Sequence, residues 1–332
     1  MDKDLSDISL SIVNLYEDLI DYLAENKKIK ISRIPLLKNI RLNKSIKENN
    51  MSYERFNEFI RYFEYILKRR FPEELLNNFY DNVSDFKIYS VCFQLGDFLK
   101  KRERYAGRYN PVSNTIIINI KDGECFYSIY HELFHMASTN RMITDRVQSG
   151  FLVNHNGMSV GKGLNEGYTD LLAYRYFSHA GLKVGYPLEY RYAKVLEQVV
   201  GQETMEKLYI TSNPNGLVHG LLKYDSMDNI IDFVKLLDNV NNMNNNENET
   251  AISVRYNILT KYLIKWLIRK TIMNGENLFD PVVRRKIISL AWEIPSNICL
   301  PNSKVIKIDI NRILDETVEE VIQENSMNYR RY

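Results

Sequence analysis

His131 and His135 stand four residues apart in the stretch His131-Glu132-Leu133-Phe134-His135. On a helix that spacing is about one turn, so both imidazoles leave the same face and can grip one metal ion. Glu132 then lies beside the ion, where a carboxylate can take a proton from an attacking water. The chain has only 5 His in 332 residues, so its composition allows roughly 0.005 chance occurrences of such a pentapeptide. The motif therefore reads as metal-binding rather than as an ordinary helix surface. Zinc takes nitrogen, sulfur and carboxylate ligands, and a catalytic site supplies three from the protein and leaves the fourth position to water. One Zn2+ per chain is expected, and a third ligand has to be found.

The extended metzincin pattern needs a glycine three residues after the second histidine and a third histidine three residues further on. Ser138 and Arg141 occupy those positions, so that pattern is absent. His155 stands in a Gly/Asn-rich stretch and is one candidate. Glu166 is the stronger one, in Gly163-Leu164-Asn165-Glu166-Gly167-Tyr168-Thr169-Asp170 at the start of a helix. Asp170 follows one turn later on the same face. A ligating histidine usually donates its other ring N–H to a carboxylate that fixes its orientation, and Asp170 is spaced for that role. In isolation, two acids near a helix N-terminus would be a solvated pair favoured by the dipole. The upstream histidine motif favours the ligand reading.

The H-E-x-x-H helix followed by a helix bearing N-E-x-x-x-D resembles the gluzincin zinc metallopeptidases, over about residues 110–180 and nothing outside. The resemblance implies that His131, His135 and Glu166 are the metal ligands, Glu132 the catalytic residue and Asp170 the support of a ligating histidine. The sequence departs from the thermolysin-like arrangement in its spacing, with 30 residues between His135 and Glu166; a surface loop is expected to absorb them.

The expected function is therefore hydrolysis of peptide bonds in a peptide or protein substrate by a zinc metallopeptidase. Thr115–Ile120, leading into the histidine helix, reads either as an edge strand that could pair with an extended substrate or as a core strand buried on both faces. An oxyanion-stabilising group is also expected; Tyr186, Tyr190 and His219 are candidates, with 23 Tyr in the chain weakening any single choice. The competing class is a non-catalytic or degenerate zincin acting as a binding module for protein or nucleic acid. Lys261, Lys265 and Arg269, with Arg284, Arg285 and Lys286 nearby, could form a phosphate-binding stripe; more often such a stripe is a solvated helix face. An intact Glu132 favours catalysis, since a structural zinc site needs no general base and is usually closed by a fourth protein ligand.

These side chains need elements to hold them. Apolar residues at helical spacing, Ile8, Ile12, Leu15, Tyr16 and Leu19, then Phe56, Phe59, Ile60, Phe63 and Ile66, predict a helical region over 1–85. Residues 88–93 and 115–120 read as strands. Asp122 is placed to cap a helix running to about Ser138, with Phe126, Ile129, Leu133 and Met136 as its apolar face. Residues 144–163 read as a loop or short hairpin over the site, turning at Asn156-Gly157. The Glu166 helix is expected from about Asn165 to just before Gly181. Later helices are expected over 190–200, 226–237, 252–273, 281–292 and 308–323, the last acidic. Residues 241–250, rich in Asn and Glu, read as a linker. The fold class is α+β, a zincin-like catalytic domain over 86–240 (small sheet, active-site helix and helical lobe), joined through 241–250 to a C-terminal helical region over 251–332.

At 45% hydrophobic and 26% charged, with a net charge of +2, the chain is ordinary in composition and offers no clear nucleic-acid or membrane partner. The start, Met1-Asp2-Lys3-Asp4, lacks the positive, then apolar pattern of a signal peptide. No run of 18 apolar residues suggests a membrane span. Cys92, Cys125 and Cys299 are odd in number and widely spaced, against a disulfide framework or a thiolate zinc site. A cytoplasmic location is expected.

Overall fold

The computed structural model describes residues 53–91, 107–119, 125–141, 146–155, 158–177, 184–240, 249–299 and 305–329. They are mixed helix and sheet, mostly helical with small sheets. Two compact units share the chain. One holds the residues up to Gly150 with Thr169–Gly185 and Tyr209–Ser212; the other holds Phe151–Tyr168, Tyr186–Leu208 and Asn213–Tyr332.

In the first unit, α1 (Tyr53–Arg70) and α2 (Asn77–Val83) precede a three-stranded sheet and α3 (Cys125–Ala137), the histidine helix. The sheet contains β1 (Lys87–Val91), β2 (Gly107–Asn110) and β3 (Thr115–Asn119) in the order β1-β3-β2. Strand β3 runs parallel to β1 and antiparallel to β2. The edge-strand reading of 115–120 is thus overturned, because β3 is central and Ile116 and Ile118 are fully buried. Among the described residues the edges are β1 and β2.

Over residues 128–137, helix α3 is buried all round rather than along one stripe. Ile129, Leu133 and Met136 are in the core as expected, and so are Tyr130, Phe134 and Ala137. The reason is an aromatic cluster behind it. Phe63 of α1 meets Phe134 edge-on at 4.9 Å, and Tyr130 stacks on Phe177 at 4.0 Å. Offset and edge-on ring pairs of this kind add to the burial term and fix orientation. Ile60, Phe63 and Ile66 supply the buried side of α1, as their spacing predicts. Ile8 to Leu19 and the expected cap Asp122 lie outside the described residues.

The 30 residues between His135 and Glu166 are not a plain loop. They contain the antiparallel pair β4 (Thr139–Asn140) and β5 (Arg146–Ser149), then the antiparallel β6 (Leu152–His155) and β7 (Met158–Val160), registered His155 to Met158. The expected Asn156-Gly157 turn lies outside the described residues. Helix α4 (Lys162–Phe177) follows, three residues earlier than expected, and belongs to both units: Lys162–Tyr168 to the second, Thr169–Phe177 to the first.

The second unit continues with α5 (Pro187–Val200), α6 (Gln202–Ile210), α7 (Pro214–Leu221), α8 (Met227–Asp238), α9 (Glu249–Met273), α10 (Pro281–Ala291), the hairpin β8 (Asn297–Cys299) and β9 (Val305–Lys307), and α11 (Ile310–Tyr329). Helix starts follow local chemistry. Asn213 and Asp280 each precede a proline and accept from Gly216 N and Val282 N; Ser226 accepts from Asn229 N. Such caps satisfy N–H groups that a first turn leaves without a partner. Glu249 and Thr250, expected in the linker, already belong to α9; residues 241–248 lie outside the described residues. No described helix is long and apolar enough to cross a membrane.

Helices α9 and α11 face each other through charge. Lys261 and Lys265 pair with Glu320, Lys265 and Arg269 with Glu324, and Arg269 also reaches Asp225. Arg284 pairs with Asp315 and Lys286 with Glu276. Burial pushes the Asp225, Glu320 and Glu324 carboxyls up, but hydrogen bonds and the facing cations outweigh it and hold all three below their ordinary values. A carboxyl with a depressed folded pKa stabilises the fold above its unfolded pKa and loses that contribution as pH falls through the folded one. The chain should therefore lose stability as pH drops below about 4, and the loss should be smaller in a Glu320→Gln/Glu324→Gln variant. Thermal melts across pH 3 to 6 at fixed ionic strength check this; equal losses in both proteins would refute it.

Candidate metal centre

Two helices carry the site. From α3 come His131, Glu132 and His135, all buried; from α4 come Glu166, half-buried, and Asp170, fully buried. His131, His135 and Glu166 each offer a ligand atom, and the three atoms lie within 4.8 Å of one another. Since α4 is one continuous helix, Glu166 and Asp170 are held one turn apart on the same side.

His131 Nδ1 lies 2.8 Å from Asp170 Oδ1. An ionised carboxylate only accepts, so Nδ1–H donates and Nε2 keeps its lone pair. That Nε2 is 3.0 Å from His135 Nε2. Without a cation the two nitrogens must share a proton or repel. Two ligand nitrogens at ~2.1 Å from a tetrahedral metal stand about 3.4 Å apart, a few tenths of an ångström more than is seen. The donor set, two imidazoles and a carboxylate, fits a metal ion.

His135 is fixed by contacts that its sequence neighbourhood does not announce. Its Nδ1 lies 3.4 Å from Thr169 Oγ1, which is 2.5 Å from the Tyr209 hydroxyl; Thr169 and Tyr209 are fully buried. Its backbone carbonyl, among the last of α3 and so lacking a helical partner, accepts from Thr139 Oγ1 at 2.7 Å, Ser149 Oγ at 3.2 Å and Ser138 Oγ at 3.3 Å. Asn82 donates to the next carbonyl, Met136 O, at 2.8 Å and to Thr139 O at 2.7 Å. Thr169 could have been found by noting that it precedes Asp170 on the same helix. Ser138 and Thr139 follow His135 directly at the helix end, whereas Asn82, Ser149 and Tyr209 come from other segments and carry no local signal.

Helix α4 is fixed at its start by Asp238, whose carboxylate accepts from Gly161 N and Gly163 N, each at 2.8 Å. Burial pushes the Asp238 carboxyl up, although these N–H groups and Lys162 pull it down. Asn165 Oδ1 accepts from Phe151 N at 3.0 Å. Next to Glu166, Gly167 lies so close to the Glu189 backbone that a Cβ would come within 2.3 Å of it; only glycine fits there. Glu132 has a similar neighbour, since a Cβ on Gly107 of β2 would come within 2.8 Å of its Cγ.

The three-residue cluster does not include the other candidates. His155 ends β6, and its side chain lies outside the described residues. Tyr186 precedes α5 and accepts the Tyr190 N–H through its carbonyl; His219 is exposed on α7. The Cys125 side chain also lies outside the described residues.

Asp170→Ala should keep the fold and weaken metal affinity by about 10- to 100-fold, the usual cost of losing the partner that orients a ligating histidine. A competitive chelator titration measures it, and an affinity equal to wild type would reduce Asp170 to a packing role. Comparison with known proteins gives no matching family model, no matching curated protein and no matching solved structure.

Proposed function

We propose that this protein is a zinc-dependent metallopeptidase of gluzincin type that hydrolyses peptide bonds in a peptide or protein substrate. The observation that carries the reading is the convergence of His131, His135 and Glu166 with Glu132 buried beside them. The three cluster residues would hold the ion. When bound, zinc lowers the pKa of a water toward ~7 and withdraws charge from a substrate carbonyl.

The chain's own residues do the rest. Glu132 accepts the proton that the attacking water gives up and delivers it to the leaving amine. Asp170 keeps His131 in the tautomer that leaves Nε2 available, and Thr169 with Tyr209 orients His135. Strand β2, not β3, is the edge beside Glu132 on which an extended substrate could pair. The cysteine pattern favours a reducing compartment, with the cytoplasm as the proposed setting.

The alternative is a degenerate zincin that binds protein or nucleic acid. The ion pairs of Lys261, Lys265, Arg269, Arg284 and Lys286 with acids of the same chain count against its nucleic-acid form. Incubating the metal-loaded chain with a mixed peptide library, with and without 1,10-phenanthroline, separates the two. Cleavage is expected, lost with the chelator and restored by zinc; a fully metallated chain that cleaves nothing would favour the binding module.

A further inference from the structure

Within the second unit, a cavity of about 470 Å³ opens between α5, the segment after α10, the β8–β9 hairpin and the start of α11; Arg191, Trp292, Asn297 and Lys307 are among its lining residues. Its size falls in the range of small-molecule sites. Trp292 is 67% exposed, whereas the chain's other tryptophan, Trp266, is fully buried and donates to Asp225. An exposed indole offers a flat face for stacking.

Two cations share this cavity. Lys307 opposes Asn297 across the hairpin, and Arg191 projects from α5. Neither makes an ion pair or side-chain hydrogen bond among the described residues. Their neighbours are already engaged. Lys194, one turn after Arg191, holds Glu293, and Asp309, the acid in the lining, accepts the Arg312 N–H at the start of α11. Another cavity, lined in part by Lys265 and Arg269, is different, because Glu320, Glu324 and Asp225 pair with those cations. There Lys265 and Arg269 are held by acids, whereas in the Trp292 cavity neither Arg191 nor Lys307 is paired among the described residues.

We infer that the Trp292 cavity binds a nucleoside phosphate, with the base stacked on the indole and the phosphates held by Arg191 and Lys307. Two cations match a dianionic head better than a single carboxylate, and the guanidinium offers phosphate a paired set of donors. The inference rests on the second unit alone and does not depend on the peptidase reading.

Tryptophan fluorescence reads it directly, because Trp292 is the exposed one. Titration of the full chain with ADP should quench the emission, and Trp292→Phe should remove the quench. Arg191→Ala/Lys307→Ala should weaken ADP binding in calorimetry by about tenfold or more, with an unchanged circular dichroism spectrum. Adenosine should bind more weakly than ADP, and inorganic phosphate should compete without quenching. No heat and no quench at millimolar ADP would overturn the assignment, as would full affinity in the double variant or equal affinity for adenosine.

Discussion

Glu132→Gln should abolish peptide hydrolysis while metal content and thermal stability stay at wild-type values. Glutamine keeps the shape of a side chain packed against Gly107, so little strain is introduced, but its amide cannot take a proton from water. General-base catalysis contributes about 10²- to 10⁴-fold, and a loss in or above that range is expected. Wild type and variant are compared on one peptide library by mass spectrometry, with metal measured on the same samples. Equal cleavage by both proteins would move the base elsewhere and remove the role assigned to Glu132.

His135→Ala and Glu166→Ala should each release the metal, because removing one of three ligands forfeits a large part of a binding energy that reaches ~10 kcal/mol or more in protein zinc sites. His131→Ala should do the same, with an added stability loss, since it leaves the fully buried Asp170 without its imidazole partner. The first two variants therefore give the clean measurement. Metal content after dialysis, with melting temperature as control, is the readout. Full occupancy in Glu166→Ala would transfer the third-ligand role, with His155 next in line.

The chemistry of the centre is legible in the chain because helical geometry is local. A four-residue spacing places His131 over His135, and another places Glu166 over Asp170, whatever surrounds them. Capping chemistry is local too, which is why Ser226 and Pro281 mark helix starts correctly. Strand neighbours are not local. The isoleucine run of β3 signals burial, but only pairing with β1 on one side and β2 on the other makes it central and leaves β2 beside Glu132.

The supports of His135 show the same division most clearly. Asn82, Thr169 and Tyr209 are ordinary polar residues in the sequence, and folding brings them onto one imidazole and a carbonyl at the end of its helix. The last helix likewise reads only as acidic, until α11 packs along α9 and its Glu320 and Glu324 pair with a stripe that resembled a phosphate-binding surface. A spacing of three or four residues determines which side chains share a helix face. Which buried polar group meets which partner depends on contacts tens of residues apart, and burial makes those contacts obligatory, since a polar atom removed from water must find its hydrogen bond within the protein.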